Sequence, residues 1–511
     1  MFLCRKLRVR FLQLGALEAV PIGLGDDQAS YGYVAEFDRW MAAVMRTLAC
    51  SSFTGSAART NMIPDDGVST AVSTVLNAGI LLCAQPTQQL ILKSPYSIVR
   101  TPQDPSCSLK SNVNSSELIQ SLATRRPPDC MGSQPLVASV SFCRRLTAPD
   151  WPRTVCHVQL NISDPMHDGS CYIPGDIAMV HPENSDELIN RTMAVINPRS
   201  PGSHHGALST LNGTDSLSIR RLVASRDSRL QEIQCTYESL LRYHLDMGGI
   251  PQRRFFEIMS LWATNDEERD KLHELASAEG TDLYFDYCVR EKRNYVDILE
   301  DFRSCHGNIS LEQFVDAIPV LKARAYSIAS APSEDSSSIG LCVAKTVDTT
   351  RRGRKRMGTC SSFLCSFINS SAVRPVYLWI KRGLFSDKLF SAIPKPGFST
   401  APPSTISYRK QDQVQVPLLL IGPGTGVAPL RSIIREFFHN RFQYLSELIE
   451  PDSSSKLVPA PIRLFFGCRR RGCDFLYENE WISIVSRCVD AERAFASEDK
   501  NRESTEINKR N

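Results

Sequence analysis

Apolar positions fall into helical spacing, into alternation or into short solid runs at different places along this chain, and the changes between them outline its architecture. Leu7, Phe11 and Leu14 mark one helical face that stops at Gly15, Ala19–Leu24 reads as a short buried strand, and Trp40, Val44 and Leu48 mark a further helix. From Ser51 to Pro135 Ser, Thr, Pro and Asn dominate without durable periodicity, which predicts a linker, disordered in part. Order resumes near Ala138, and Thr154–Ile162 and Asp176–Val180 have strand character, with Pro174-Gly175 as the turn before the second. Leu230–Leu299 is predicted largely helical, with Pro251 near a helix start and an amphipathic run from Glu267 to Ala278. Leu321–Ala329, Ile339–Thr346 and Val376–Ile380 return to strand, and Pro417–Ile421, a helix and Ile462–Phe466 complete a strand-helix-strand unit.

Composition narrows this picture. A length of 511 residues allows about three domains. With 42% apolar and 22% charged residues, wholesale disorder and fibrous architectures are excluded. A net charge of +4 from 59 basic and 55 acidic side chains gives no global electrostatic argument for nucleic acid, and the expectation is no nucleic-acid partner. The longest apolar candidate, Val68–Ala84, is broken by polar residues, so no membrane partner is expected. Seventeen cysteines without a single Cys-x-x-Cys pair argue against a zinc ribbon or thioredoxin-like centre; no metal site is expected, and the thiols read as small buried hydrophobes of a reduced cytosolic protein. Arg5, Lys6, Arg8 and Arg10 raise a targeting peptide, but Gln13, Glu18 and Pro21 interrupt the apolar run that such a peptide needs.

The sharpest chemical signal is Val416-Pro-Leu-Leu-Leu-Ile-Gly-Pro-Gly-Thr-Gly-Val-Ala-Pro-Leu-Arg431, a strand running into a glycine turn that opens an amphipathic helix. Gly422, Gly424 and Gly426 let the backbone approach a diphosphate, Thr425 adds a hydroxyl, and the helix start favours an anion. The pattern is neither Gly-x-Gly-x-x-Gly nor a P-loop, and a tight strand-helix turn without a ligand would look similar. The strand Ile462–Phe466 ends at Gly467-Cys468-Arg469-Arg470, where the arginines are placed to hold a ribose 2′-phosphate. In Leu321–Ser330, period-two alternation puts Arg324 and Tyr326 on one face, a guanidinium for a phosphate and a ring for an aromatic ligand, while Ser327 faces the other way. Gly358-Thr359-Cys360-Ser361 reads as a second phosphate-reading turn, and the basic run Arg351–Arg356 before it as a solvated loop.

Taken in order, Tyr172-Ile-Pro-Gly-Asp176, Tyr287-Cys288 with Lys292-Arg293, Arg324–Ser330, Gly358–Ser361, Gly422–Arg431 and Phe465–Trp481 resemble the diflavin reductases. Within that family they resemble the NADPH-dependent diflavin oxidoreductases of cytosolic iron–sulfur protein assembly. The resemblance covers about Ala138 to Trp481, and Gly23–Gln28 is similar to the last flavin-contacting loop of the family's flavodoxin-like domain. It implies an α+β and α/β multidomain fold. Its parts would be a flavodoxin-like remnant at 1–50, a linker at 51–137, a ferredoxin-reductase-type antiparallel β-barrel at 138–408 with a helical insert at about 183–310, and an incomplete parallel α/β NADPH-binding domain at 409–511. It also implies electron flow from NADPH through FAD and FMN to an anamorsin-like iron–sulfur protein in the cytoplasm.

Carried onto this sequence, the resemblance assigns FAD binding to Lys292, Arg293, Arg324, Ala325, Tyr326, Ser327, Gly358, Thr359, Cys360 and Ser361, with Ser327 near the flavin edge as the catalytic candidate. NADP binding falls to Gly422, Gly424, Thr425 and Gly426, beside Arg469 and Arg470, and FMN contact to Asp27. The family's flavodoxin phosphate loop would lie before residue 1, so weak or absent FMN binding is expected of this chain. Its last NADP-domain strands and terminal aromatic residue have no counterpart in the tail after Ala494. Two other readings stay open at this point: a single-flavin NADPH:FAD reductase, and an inactive remnant that only binds partners.

Overall fold

The computed structural model describes residues 96–101, 115–162, 172–196, 213–221, 232–368, 374–383, 418–447 and 462–487, with residues 12, 13, 20, 40, 43 and 44. Asp27 and the Gly23–Gln28 loop lie outside the described residues. Among the described residues the strands are β1 (Tyr96–Thr101), β2 (Leu136–Arg145), β3 (Val155–Ile162), β4 (Ile177–His181), β5 (Ser216–Arg221), β6 (Glu232–Thr236), β7 (Arg324–Ser327), β8 (Ser338–Ala344), β9 (Val347–Thr349), β10 (Lys355–Met357), β11 (Pro375–Lys381), β12 (Leu418–Pro423) and β13 (Ile462–Gly467). The chain forms two compact units, one of Met1–Val113, Asp186–Val320 and Thr349–Lys355, the other of Asn114–Ser185, Leu321–Asp348 and Arg356–Asn511.

The first unit is mainly helical. Helices Arg253–Trp262, Asp266–Ala276, Tyr295–Asp301 and Leu311–Ala317 bury Phe255, Phe256, Trp262, Tyr295 and Phe314 in one core. Their starts follow capping chemistry: Asn265, Asn294 and Ser310 each accept a backbone N–H of the first turn, and Asn294 and Asp297 form a reciprocal capping box. Trp262, buried in this core, keeps its indole N–H satisfied by Gln313 Oε1 at 2.7 Å. A three-stranded antiparallel sheet, β1-β5-β6, belongs to the same unit. This corrects two expectations. The stretch expected to be all linker supplies β1 and, to the other unit, the helix Ser115–Ala123; the stretch expected to be helical from Leu230 instead opens with β6. Both strands are five or six residues long, and distant partners define them better than local periodicity does.

The second unit is built on a six-stranded antiparallel sheet in the order β7-β4-β11-β2-β3-β8. The expected barrel is not a closed ladder: edge strands β7 and β8 meet only beyond the end of β7, at the single bridge Ile328↔Leu341. β7 pairs along one side with β4 for its four residues, and its other side carries no ladder to β8. Val158, Leu160, Ile339, Leu341, Leu378 and Ile380 form the core with Phe363 and Leu364 of the helix Thr359–Cys365. The Tyr172–Asp176 turn is held from within. Asp176 is fully buried and accepts from Ile173 N at 3.0 Å and from Arg382 Nη1 at 2.9 Å with one oxygen, and from Gly383 N at 3.1 Å with the other. The same unit carries β12 and β13, a parallel pair, with the helix Val427–Glu447 between them in sequence. Leu420 packs against Leu430, Ile433 and Ile434, whereas Leu419 and Ile421 are 62% and 69% exposed. β12 is therefore covered on one face, not buried on both as its apolar run predicts.

Candidate functional site

The edge strand β7, the turn at Gly358 and the glycine turn after β12 border one cleft of about 540 Å3, within the range of small-molecule and cofactor sites. Its lining includes Arg324, Ala325, Tyr326, Ser327, Gly358, Thr359, Cys360, Ser361, Thr425 and Gly426, ten of the positions expected from sequence. Gly422 and Gly424 lie in the same turn just before Thr425. All four residues of β7, Ser327 among them, line the cleft. An edge strand presents its free side as well as its faces, which period-two reasoning leaves out. Cys342, Ala344 and Thr346 also border it and were missed, although their period of two, running from β8 to the second residue past its end, was a readable signal.

Local hydrogen bonds shape each wall. Gly358 N donates to Thr346 O at 2.9 Å, Thr346 N donates to Ser361 Oγ at 3.0 Å, and Ser362 N donates to Gly358 O at 2.9 Å. Ser361 is thus committed to holding the turn, while Thr359 stands at the cleft with its hydroxyl. Arg324 is exposed at the cleft and donates from Nη1 to the Lys322 carbonyl at 2.8 Å. Gly424 has φ +54, and a Cβ placed on it would meet nothing within 4 Å. The backbone there is open to close approach by a ligand, immediately before a 21-residue helix whose first N–H groups favour an anion.

Burial pushes the Tyr326 phenol well up, with Cys360 adding to the shift, and pushes the thiols of Cys342 and Cys360 up to about 12. The cleft walls therefore present neutral thiols and a neutral phenol at physiological pH, surfaces for packing rather than thiolate nucleophiles. Beneath the seam between the sheet and the helix Val427–Glu447, His157 has an Nδ1 to Tyr477 Oη distance of 3.0 Å and an Nε2 to Gln159 Oε1 distance of 3.0 Å. Burial first, and Arg431 second, hold its pKa down at about 4.

A cationic strand residue, hydroxyls, an aromatic ring and two backbone turns are the donor set that a pyrophosphate-linked dinucleotide needs, and they converge here. The residues fit such a cofactor. The other expected positions are placed elsewhere. Arg469 and Arg470 sit exposed just after β13, where their backbone N–H groups donate to Asp474 at 3.2 and 2.8 Å. Lys292 and Arg293 belong to the helical unit. Arg293 is ion-paired with Asp301, and its guanidinium carbon lies 4.5 Å from the Tyr287 ring centroid. Lys292, at φ +49, borders a second cleft of about 460 Å3 with Asp286, Arg290, Glu291 and residues 349–352. That cleft draws two residues, Arg351 and Arg352, from the basic loop. Among the described residues no helix is long and apolar enough to cross a membrane.

Comparison with known proteins bears on the same segments. A family model for the FAD binding domain matches residues 129–363, and one for the oxidoreductase NAD-binding domain matches residues 420–510. The NADPH-dependent diflavin oxidoreductase 1 of Bos taurus is 26% identical over 502 residues, covering 98% of this chain and 70% of that protein. That of Arabidopsis thaliana is 27% identical over 495 residues, 94% of this chain and 66% of that protein. That of Dictyostelium discoideum is 29% identical over 351 residues, 68% of this chain and 48% of that protein. The chain thus spans about two thirds of the length of the bovine and plant relatives.

Proposed function

Because the chain belongs to the NADPH-dependent diflavin oxidoreductase family, we propose that its cleft holds FAD against a bound NADPH and that the protein passes electrons from NADPH to a protein acceptor. The observation that carries this reading is the convergence of β7, the Gly358 turn and the Thr425–Gly426 turn on one cleft. When bound, FAD supplies the chemistry that accepts a hydride as an electron pair and releases electrons singly, as to FMN in a diflavin reductase.

The chain's own residues bind and orient. Arg324 neutralises the FAD diphosphate, Thr359 and the backbone at Gly358 complete its cradle, and Tyr326 packs on the ring system. Ser327 stands at the flavin edge. Gly424 and Gly426 let the NADPH diphosphate come close to the backbone, Thr425 adds a hydroxyl, and Arg469 and Arg470 favour a 2′-phosphate. The compartment is the cytosol, and the acceptor is an anamorsin-like iron–sulfur protein.

A single-flavin reductase is the second reading, favoured by the fact that the whole cleft is built from residues after Asn114. Released-flavin analysis separates the two: FAD with FMN supports the diflavin reading, FAD alone the second. Arg324→Ala tests the cleft itself. Losing one charge-assisted contact worth roughly 1.5–3 kcal/mol weakens FAD binding by about 10- to 150-fold. Undiminished FAD content in that variant rejects the assignment, and a flavin that fails to bleach with NADPH rejects the enzymatic role.

A further inference from the structure

The glycine turn reaches the cleft from a helix that is clamped to the sheet by an unusual route. Arg431, one turn into Val427–Glu447, is 5% exposed, and a guanidinium is costly to bury without partners. It has them. Nη1 donates to the Ala329 carbonyl at 2.5 Å, Nε and Nη2 donate to Glu480 Oε2 at 3.1 and 2.9 Å, and the guanidinium carbon lies 4.5 Å from the Tyr477 ring centroid. The neighbouring side chains extend the grip. Ser432 Oγ donates to the Ser330 carbonyl, Arg435 Nε donates to Glu334 Oε2 at 2.7 Å, and Glu436 Oε2 accepts from Ser333 N at 3.1 Å.

The held segment, 329–334, is the continuation of β7, and the residues just before the clamp, Thr425, Gly426 and Ala428, line the cleft. Tyr477, under the guanidinium, takes the left-handed backbone conformation at φ +61, rare for a bulky residue. A fork-shaped cation is the group that can reach a carbonyl on one side and a carboxylate on the other at once.

We propose that Arg431 is a positioning residue, setting the separation between the glycine turn that takes NADPH and the strand Arg324–Ser327 that takes FAD. The proposal rests on the reading of the cleft given above. It predicts that each ligand still binds when Arg431 is replaced, while the two no longer meet correctly. Arg431→Met is the main variant, because Arg435 stays paired with Glu480 at 3.0 Å and no carboxylate is left alone.

The test uses the full chain loaded with FAD. FAD stoichiometry and 2′,5′-ADP affinity read the two sites separately, and the change in the flavin visible spectrum on adding NADP+ reads their proximity without turnover. In Arg431→Met we expect full FAD content and 2′,5′-ADP affinity within about 3-fold, but a spectral change reduced roughly 5-fold or more; Arg431→Lys should restore part of it and Ser432→Ala should lose about half. A wild-type chain that binds neither FAD nor 2′,5′-ADP overturns the cleft reading and this inference with it. Wild-type binding with an undiminished spectral change in Arg431→Met overturns this inference alone. Should that variant not fold, the same signal undiminished in both Arg431→Lys and Ser432→Ala overturns it.

Discussion

The two walls of the cleft both rely on glycine, for opposite reasons. At Gly358 the backbone is ordinary, with φ −69, but a Cβ would sit 2.8 Å from Ser361 Oγ and 2.9 Å from Thr346 Cβ. At Gly424 the space is empty, and the backbone itself is in the left-handed region. The first glycine makes room for its own neighbours, and the second opens the chain to something arriving from outside. The supports differ in the same way. The Gly358 wall rests on a packed apolar core that includes Phe363 and Leu364, while the Gly424 wall rides on a helix tied down partly by a polar network of arginines, carboxylates, Tyr477 and His157.

Acid should separate the two supports most. Folded His157 is held at about 4 against an ordinary histidine near 6.5, so the unfolded chain binds the proton first as pH falls. Stability is therefore intact above about pH 6.5 and is lost progressively toward pH 4, by up to about 3 kcal/mol. Arg431 and Arg144 oppose the proton and Glu480 favours it. Urea midpoints at pH 7 and pH 4 should differ markedly in wild type and much less in His157→Gln; parallel curves would refute this account.

Gly358→Ala comes next. Forcing a methyl into the Thr346–Ser361 contact should cost about 2 kcal/mol in overpacking, visible as a lower denaturation midpoint together with lost FAD. Gly424→Ala is the mildest. It should cost about 1 kcal/mol for the left-handed conformation, keep FAD and weaken 2′,5′-ADP binding several-fold. If Gly424→Ala also released FAD, the contrast between the walls would be wrong.

Much of this site was legible before any coordinates. Gly422–Gly426 followed by a helical face, and Arg324 two residues before Tyr326, are local patterns, and local backbone rules suffice to interpret them. What escaped was non-local. β1 is a strand only because β5 lies beside it. The barrel expectation placed five of the sheet's six strands in sequence and left β2 as ordered chain near Ala138, while closure depends on whether the free sides of β7 and β8 meet, which no spacing shows. Arg431 looked like the last letter of a motif; its burial depends on Ala329 and Glu480, which no spacing along the chain connects.

The order of strands in the sheet also dictates a history. Val180 pairs with Arg324 and Leu136 with Leu378, so β2, β3 and β4 emerge from the ribosome long before β7, β8 and β11 exist to flank them. The intervening helical segment has its own core and short-range caps, and it can fold at once. The early strands, meanwhile, wait with unpaired edges and apolar faces in view. A nascent chain of this protein is accordingly most vulnerable to aggregation midway through synthesis, and chaperone dependence should be greatest for chains paused before Arg324.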